Sequence, residues 1–150
     1  MPIEPCLAEI SLANDDYVLD AQVGFLLRQV YQRHAAIFAG AMGDELTSMQ
    51  WAALAKLAEI GACSQNQLGR LTAMDAATIK GVVDRLVRDG HAETQRDPED
   101  ARRIQVALTP HGRATYRRLQ VMAHRISAKT LAPLLPRERE IFLRMLRKLL

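Results

Sequence analysis

The sequence predicts a mainly α-helical fold carrying one small β-hairpin, and three observations carry that expectation. Two capping patterns, Thr47-Ser48-Met49-Gln50 and Ser64-Gln65-Asn66-Gln67, stand either side of Gly61 and mark the starts of two separate helices. A turn composition, Asp97-Pro98-Glu99-Asp100, precedes an alternating segment in which Ile104, Val106 and Leu108 interleave with Arg103, Gln105 and Ala107. Long stretches with apolar residues at three- and four-residue steps flank this unit on both sides. In order, these make a winged helix-turn-helix over about 46–112, framed by N- and C-terminal helices over about 14–40 and 110–150, in one domain covering residues 1–150.

Residues 1–13 form an arm. Asn14 or Asp15 can cap a helix from about Asp16 to Ala39, with Val23, Leu26, Leu27, Val30, His34, Ile37 and Phe38 on one face and Gly40 and Gly43 ending it. The next helix covers Ser48–Glu59, with Trp51, Leu54, Leu57 and Ala58 inward. A short helix runs from Ser64 to about Leu71, anchored by Leu68 and Leu71. Asp75 caps a further helix that ends at Gly90 and buries Ile79, Val82, Val83, Leu86 and Val87. Strands near Ala92–Gln95 and Arg103–Leu108 form the hairpin. Thr109-Pro110 is an N-cap with proline at the first helical position, opening a helix to about Leu131. Pro133 and Pro136 interrupt it, and a last helix covers Arg137–Lys148 with Ile141, Phe142, Met145 and Leu146 as an apolar stripe. A terminal helix this apolar calls for a partner, either an intrachain core or a second subunit.

Composition narrows the function. Hydrophobic residues make up 49% and charged residues 25% of 150, which suits a folded soluble protein. No apolar run reaches the roughly 20 residues of a membrane span. The start, MPIEPCLAEI, lacks a basic region before an apolar one, so a cytoplasmic location is expected. Cys6 and Cys63 have no partners at metal-ligand spacing, so neither zinc nor a structural disulfide is expected. His34, His91, His111 and His124 sit at unrelated positions, and no nucleophile–base set or phosphate-cradling loop is present, which argues against an enzyme and against a cofactor.

Charge is uneven. Residues 1–60 carry a net −5, residues 61–112 a net 0 and residues 113–150 a net +8. The complementary ends are expected to pack together, within a protomer or between two. The neutral middle must act through placed side chains rather than a bulk field. On the helix after Asp75, the small residues Ala76, Ala77 and Gly81 permit close approach to another surface, while Thr78, Lys80 and Arg85 supply polar groups. In the hairpin, Arg96, Arg102 and Arg103 flank the tip. An arginine-bearing loop suits the narrow, negative minor groove, and Asp100 can hold Arg102 in one rotamer.

Five motifs in order then resemble the MarR family of winged-helix transcription regulators: Leu46-Thr47-x-x-Gln50, Ser64-Gln65-x-x-Leu68, Val83-Asp84-Arg85-Leu86-x-x-x-Gly90, Asp97-Pro98-x-Asp100-x-Arg102 and Leu108-Thr109-x-x-Gly112. The resemblance implies a homodimer on a palindromic double-stranded DNA operator, most simply as a repressor released by a small-molecule effector. It implies DNA contacts from Ser64, Gln65, Asn66, Ala76, Ala77, Thr78, Lys80, Gly81, Arg85, Arg96, Arg102 and Arg103, with Asp100 supporting the wing. Departures from the family pattern are Thr94 and Gln95 where basic residues are common, and Ala101 where arginine is common.

The resemblance also implies an effector pocket, for which Arg28, Tyr31, His34, Met49 and Trp51 are the candidates; an arginine and a histidine can pair with a carboxylate while Trp51 or Tyr31 meets a ring. Gly24-Phe25-Leu26-Leu27-Arg28 and Asp75-Ala76-Ala77-Thr78-Ile79-Lys80-Gly81 resemble the branch controlling aromatic-compound catabolism, so an aromatic acid or its thioester is the expected effector class. Gly24 stands where redox-sensing members carry a thiol, which leaves Cys6 as the alternative sensor. The other alternative is a winged helix that serves only as a protein-interaction module.

Overall fold

The computed structural model describes residues 16–150, in two units: one ends at Gln32, and the other is Arg33–Leu150. Cys6, Asn14 and Asp15 lie outside the described residues. A 3-10 turn over Leu19–Ala21 precedes helix α1 (Val23–Met42). Helices α2 (Ser48–Ile60), α3 (Gln65–Leu71) and α4 (Ala76–Arg88) follow, then strands β1 (Ala92–Arg96) and β2 (Ile104–Leu108), then α5 (Pro110–Thr130) and α6 (Pro136–Lys148). The expected fold class is the observed one. The first helix starts later than the capping residues suggested, because Gln22 is extended (ψ 133°) and separates α1 from the 3-10 turn. It also ends later: Gly40 is helical, and Gly43 follows the last turn.

The N-caps expected at α2, α3, α4 and α5 form, although the box at α3 is half made, with Ser64 accepting from Gln67 N and no return bond from the Gln67 side chain. Thr47 and Gln50 bond reciprocally, with Gln50 N donating to Thr47 Oγ1 (3.1 Å) and Thr47 N donating to Gln50 Oε1 (2.9 Å). Asp75 Oδ1 accepts from Thr78 N at 2.7 Å, and those bonds hold its carboxyl below the usual range. This cap is therefore intact at neutral pH and is lost only as pH falls through the lowered value. Helix α4 ends in a Schellman arrangement: Gly90 N donates to Val87 O (3.1 Å), His91 N donates to Leu86 O (2.8 Å), and Gly90 takes φ +79°.

The core lies where α2, α3, α4 and the hairpin meet. Leu54, Leu68, Ile79, Leu86 and Val106 are its largest fully buried side chains. Leu71, Val87 and Ile104, expected to be inward, instead face outward at 45%, 38% and 63% exposure. In α3, a helix of barely two turns, Gly69 takes the inward place of Leu71. A side chain there would stand 3.1 Å from Ile79 Cγ2 and from Met74 O. Ile104 is at the wing end of β2, beyond the reach of the helices. Cys63 is buried and paired through its backbone with Val106, and burial pushes its thiol pKa up, so the thiolate is disfavoured.

Helix α5 is fastened to the end of α4 at its first turn. Thr109 Oγ1 accepts from Gly112 N (3.0 Å) and donates to Gly90 O (2.5 Å), and Thr109 N donates to His91 O (3.1 Å). One hydroxyl thus caps α5 and ties it to the end of α4. Thr109→Val is expected to destabilise the fold by about 1–2 kcal/mol, measured by urea unfolding; no change in midpoint would remove the hydroxyl from this account. Farther along, Arg118 forms a two-pronged ion pair with Glu45, at 2.8 and 2.5 Å. It joins the acidic N-terminal region to the basic C-terminal one within a single protomer.

Apolar side chains remain exposed on α6, where Ile141, Leu143 and Met145 are each about two-fifths accessible and Leu149 is 71% accessible. On α1, Val23, Leu26, Leu27 and Val30 are likewise exposed. Among the described residues, no helix is long and apolar enough to cross a membrane.

Candidate nucleic-acid interface

Helices α3 and α4 are joined by a turn in which Ala73 adopts φ +55° and Met74 N donates to Gly69 O (2.9 Å). A non-glycine residue in the left-handed region costs about 1 kcal/mol, so the turn is held by its surroundings rather than by local preference. Ser64 Oγ caps α3 by accepting from Gln67 N at 3.2 Å. Gln65 is half-buried and Asn66 exposed, at the start of this short helix.

The outward side of α4 is shallow at its N-terminal end. Ala76 and Ala77 are exposed, Thr78 and Gly81 are half-exposed, and an added Cβ on Gly81 would meet nothing within 4 Å. A helix face without bulk can lie close to the floor of a groove, where base edges are read. Arg85, Thr78, Gly81 and Met49 border a cleft of about 380 Å³ between the start of α2 and α4. Lys80 does not stand alone: its Nζ is 2.7 Å from Asp84 Oδ2, so the cation is partly neutralised until another anion competes for it. Lys80 and Asp84 thus cancel, and Arg85 adds a cation to the same face.

The wing pairs Ala92 with Leu108 at its base and Arg96 with Ile104 toward its tip. Asp100 organises the tip. Its Oδ1 accepts from Arg102 N (3.1 Å) and lies 3.4 Å from Arg102 Nε, and its Oδ2 lies 3.6 Å from Arg103 Nε. The single carboxylate therefore restrains two arginines, where the sequence suggested one. The Arg102 side chain is 93% exposed, which presents its guanidinium to a partner. Arg96 instead folds back, with Nη1 donating to Ala101 O at 3.3 Å.

Of the five residues expected at an effector pocket, His34, Met49 and Trp51 are held apart from one another. Arg28 and Tyr31 are exposed on the first half of α1. His34 Nδ1 lies 2.8 Å from Thr130 Oγ1, near the end of α5. Trp51 stacks on Tyr116, with ring centroids 5.5 Å apart. Tyr116 and Thr130 are 14 positions apart on α5, which separates His34 from Trp51 by about 21 Å along that helix. Met49 belongs to the cleft beside α4. A cleft that sequence reasoning missed lies between α1 and α5, about 300 Å³ in volume. It is walled by Ile37, Met122 and Ile126 and rimmed by Arg125 and Lys129. The signal for it is the small residues Ala36, Gly40 and Ala41 opposite a basic stretch of α5.

Comparison with known proteins agrees with this architecture. The MarR family model matches residues 45–103. The HTH-type transcriptional repressor NicR of Pseudomonas putida is 40% identical over 140 residues, covering 93% of this chain and 89% of that protein. Among solved structures, a probable transcriptional regulator from Pseudomonas aeruginosa is 52% identical with a TM-score of 0.86, covering 89% of this chain and 100% of that one. BpsR of Bordetella bronchiseptica, whose DNA binding is regulated by 6-hydroxynicotinic acid, is 40% identical with a TM-score of 0.86, covering 89% and 96%. With the capped α3–α4 pair, the clamped wing and relatives this similar over nearly its whole length, the chain belongs to the MarR family of winged-helix transcription regulators.

Proposed function

We propose that the protein is an operator-binding repressor that works in the cytoplasm as a homodimer and releases DNA when a small aromatic carboxylic acid binds. The observation that carries the reading is the pairing of a shallow, near-neutral α4 face with a wing whose Asp100 preorganises Arg102. Such a surface gains little from phosphates alone and depends on fit to a sequence. Ser64, Gln65, Asn66 and the residues from Ala76 to Arg85 would face the major groove, and Arg102 and Arg103 the minor groove. The exposed apolar faces of α1 and α6 support dimerisation, and the whole of residues 1–150 is read as one functional domain. A regulator with these surfaces is not an enzyme in this reading.

The effector class rests on similarity to BpsR, whose DNA binding responds to 6-hydroxynicotinic acid. Arg28, Tyr31 and His34 remain the candidates on α1, with Trp51 against Tyr116 as a second aromatic element and Met49 bordering the α4 cleft. Because His34 and Trp51 are held against different turns of α5, a pocket within one protomer would use one of them and not both. An acid that relieves repression must bind the non-reading arrangement more tightly than the reading one.

The test is binding to DNA upstream of the protein's own gene, followed by fluorescence anisotropy, with hydroxylated pyridine and benzene carboxylates added in turn. Selective binding that weakens by roughly 10-fold or more with one acid is expected. Equal affinity for operator and scrambled duplex would remove the repressor reading and favour the protein-interaction alternative. Selective binding indifferent to every acid would remove only the effector class.

A further inference from the structure

His91 and His111 lie where the reading unit meets α5, and the DNA-binding reading above assigns neither a role. Their rings are stacked, with centroids 4.8 Å apart and planes 10° from parallel. His91 Nδ1 is buried without a hydrogen-bond partner among the described residues. His91 directly follows the Gly90 turn that ends α4 and directly precedes β1; His111 is in the first turn of α5. The backbones are equally close, since a Cβ on Gly112 would stand 1.9 Å from His91 O. We propose that this histidine pair positions the reading unit on its α5 arm, the neutral stack holding the operator-binding arrangement and protonation releasing it.

The chemistry follows from the two rings. A neutral His91 can leave Nδ1 as an unprotonated lone pair. Its cation would place an N–H there with nothing to accept it, a penalty that a buried donor pays in full. A charge on either ring also faces the other across the stack. The groups around His91 pull in both directions. From the end of α4, Asp89 favours the cation, and Glu45, before α2, does so too; from α5, His111 and Arg118 oppose it. Burial is the largest influence, and the net effect holds the His91 pKa below the ordinary imidazole range. Because the latched form binds fewer protons than a separated one, it is fully favoured above the ordinary imidazole value and is lost as pH falls through the lowered one. Repulsion between the rings acts on Gly90 and on the first turn of α5 at once, so it would change the angle between α4 and the arm that sets half-site spacing.

The inference rests on the operator-binding reading, and its test separates the two. Operator and scrambled-duplex affinities are measured from about pH 8 to about pH 5.5 for the wild type, H111F and the control H124Q. The phenyl ring of the H111F variant would keep an aromatic face against His91 but takes no proton. Wild type and H124Q are expected to lose about tenfold in operator affinity across the range, with scrambled-duplex binding not falling and H111F losing clearly less than the wild type, since its His91 keeps the burial penalty but faces no second charge. In parallel, imidazole NMR signals of the DNA-free protein are titrated; His91 is expected below the ordinary range in the wild type and shifted by H111F. An H111F profile that falls like that of the wild type overturns the proposal. So does a His91 that titrates like an isolated imidazole. If no variant binds operator selectively at any pH, the repressor reading fails and the NMR titration alone decides whether the latch exists.

Discussion

Arg102→Ala is expected to weaken operator binding by roughly 10- to 100-fold while leaving the thermal midpoint unchanged. Arg102 is more exposed than Arg103, 93% against 75%, and its guanidinium is held over Asp100 rather than over a hydrophobic wall. Removing it takes away a groove contact and no core packing. A two-fold complex carries two wings, so the loss is counted twice. Asp100→Asn should move affinity in the same direction by a smaller factor, because it frees the arginine without deleting it. The discriminating measurement is affinity for operator and scrambled duplexes at several salt concentrations. A contact that only neutralises a phosphate would lower both affinities alike and reduce the salt slope by about one per wing, about two for the two-fold complex. Unchanged operator affinity in Arg102→Ala would leave the wing without a reading role.

Gly112→Ala is expected to be the most damaging single methyl in the chain, costing about 3 kcal/mol and lowering the thermal midpoint by about 10 °C. The added carbon would lie 1.9 Å from His91 O and 2.8 Å from its carbonyl carbon, both backbone atoms that no rotamer change can move aside. The chain must therefore part α5 from the α4–β1 joint, which breaks the Thr109 bonds to Gly90 and His91. Calorimetry checks the stability, and operator titration below the melting range checks the consequence for reading. Gly40→Ala is the matched control, since its Cβ would enter open space within α1 and helix propensity favours alanine. A Gly112→Ala protein as stable as the wild type would show that this joint can yield at little cost.

Much of the architecture was legible because short-range chemistry specifies it. Thr47, Ser64, Asp75 and Thr109 each cap the helix that follows, and local hydrogen bonding needs only three residues to be recognised. What was not legible depends on distant partners. Leu71 and Leu68 look equivalent in sequence, and only the approach of Ile79 to Gly69 decides which side of α3 is inward. Ala73 carries no mark of its left-handed conformation, because nothing local favours it. The Lys80–Asp84 pair was open to inspection as a four-residue spacing, yet reading Lys80 as an available cation passed over it. For an effector site the sequence offers candidates only. Charge and aromaticity identify groups capable of binding an acid, whereas convergence is a property of tertiary and quaternary geometry. The Arg118–Glu45 pair is a simpler case: residues 1–60 and 113–150 are complementary in charge, and one acid of the first and one base of the second meet within the protomer.

The hairpin is anchored very unequally at its two ends. At the root, Cys63 exchanges two backbone hydrogen bonds with Val106, of 3.1 and 2.7 Å, making a third rail beside β1 and β2. Val106 and Leu108 are buried there, whereas Ile104 and the residues beyond it rest on little but one another. The wing is thus a cantilever, stiff where it leaves the body and compliant at its end. Deflection of the tip stores little energy and sends little torque into the core. One rigid reading helix can then be combined with a tip that conforms to grooves of different width, so that variation among operators is absorbed by the wing and not by the helix beside it.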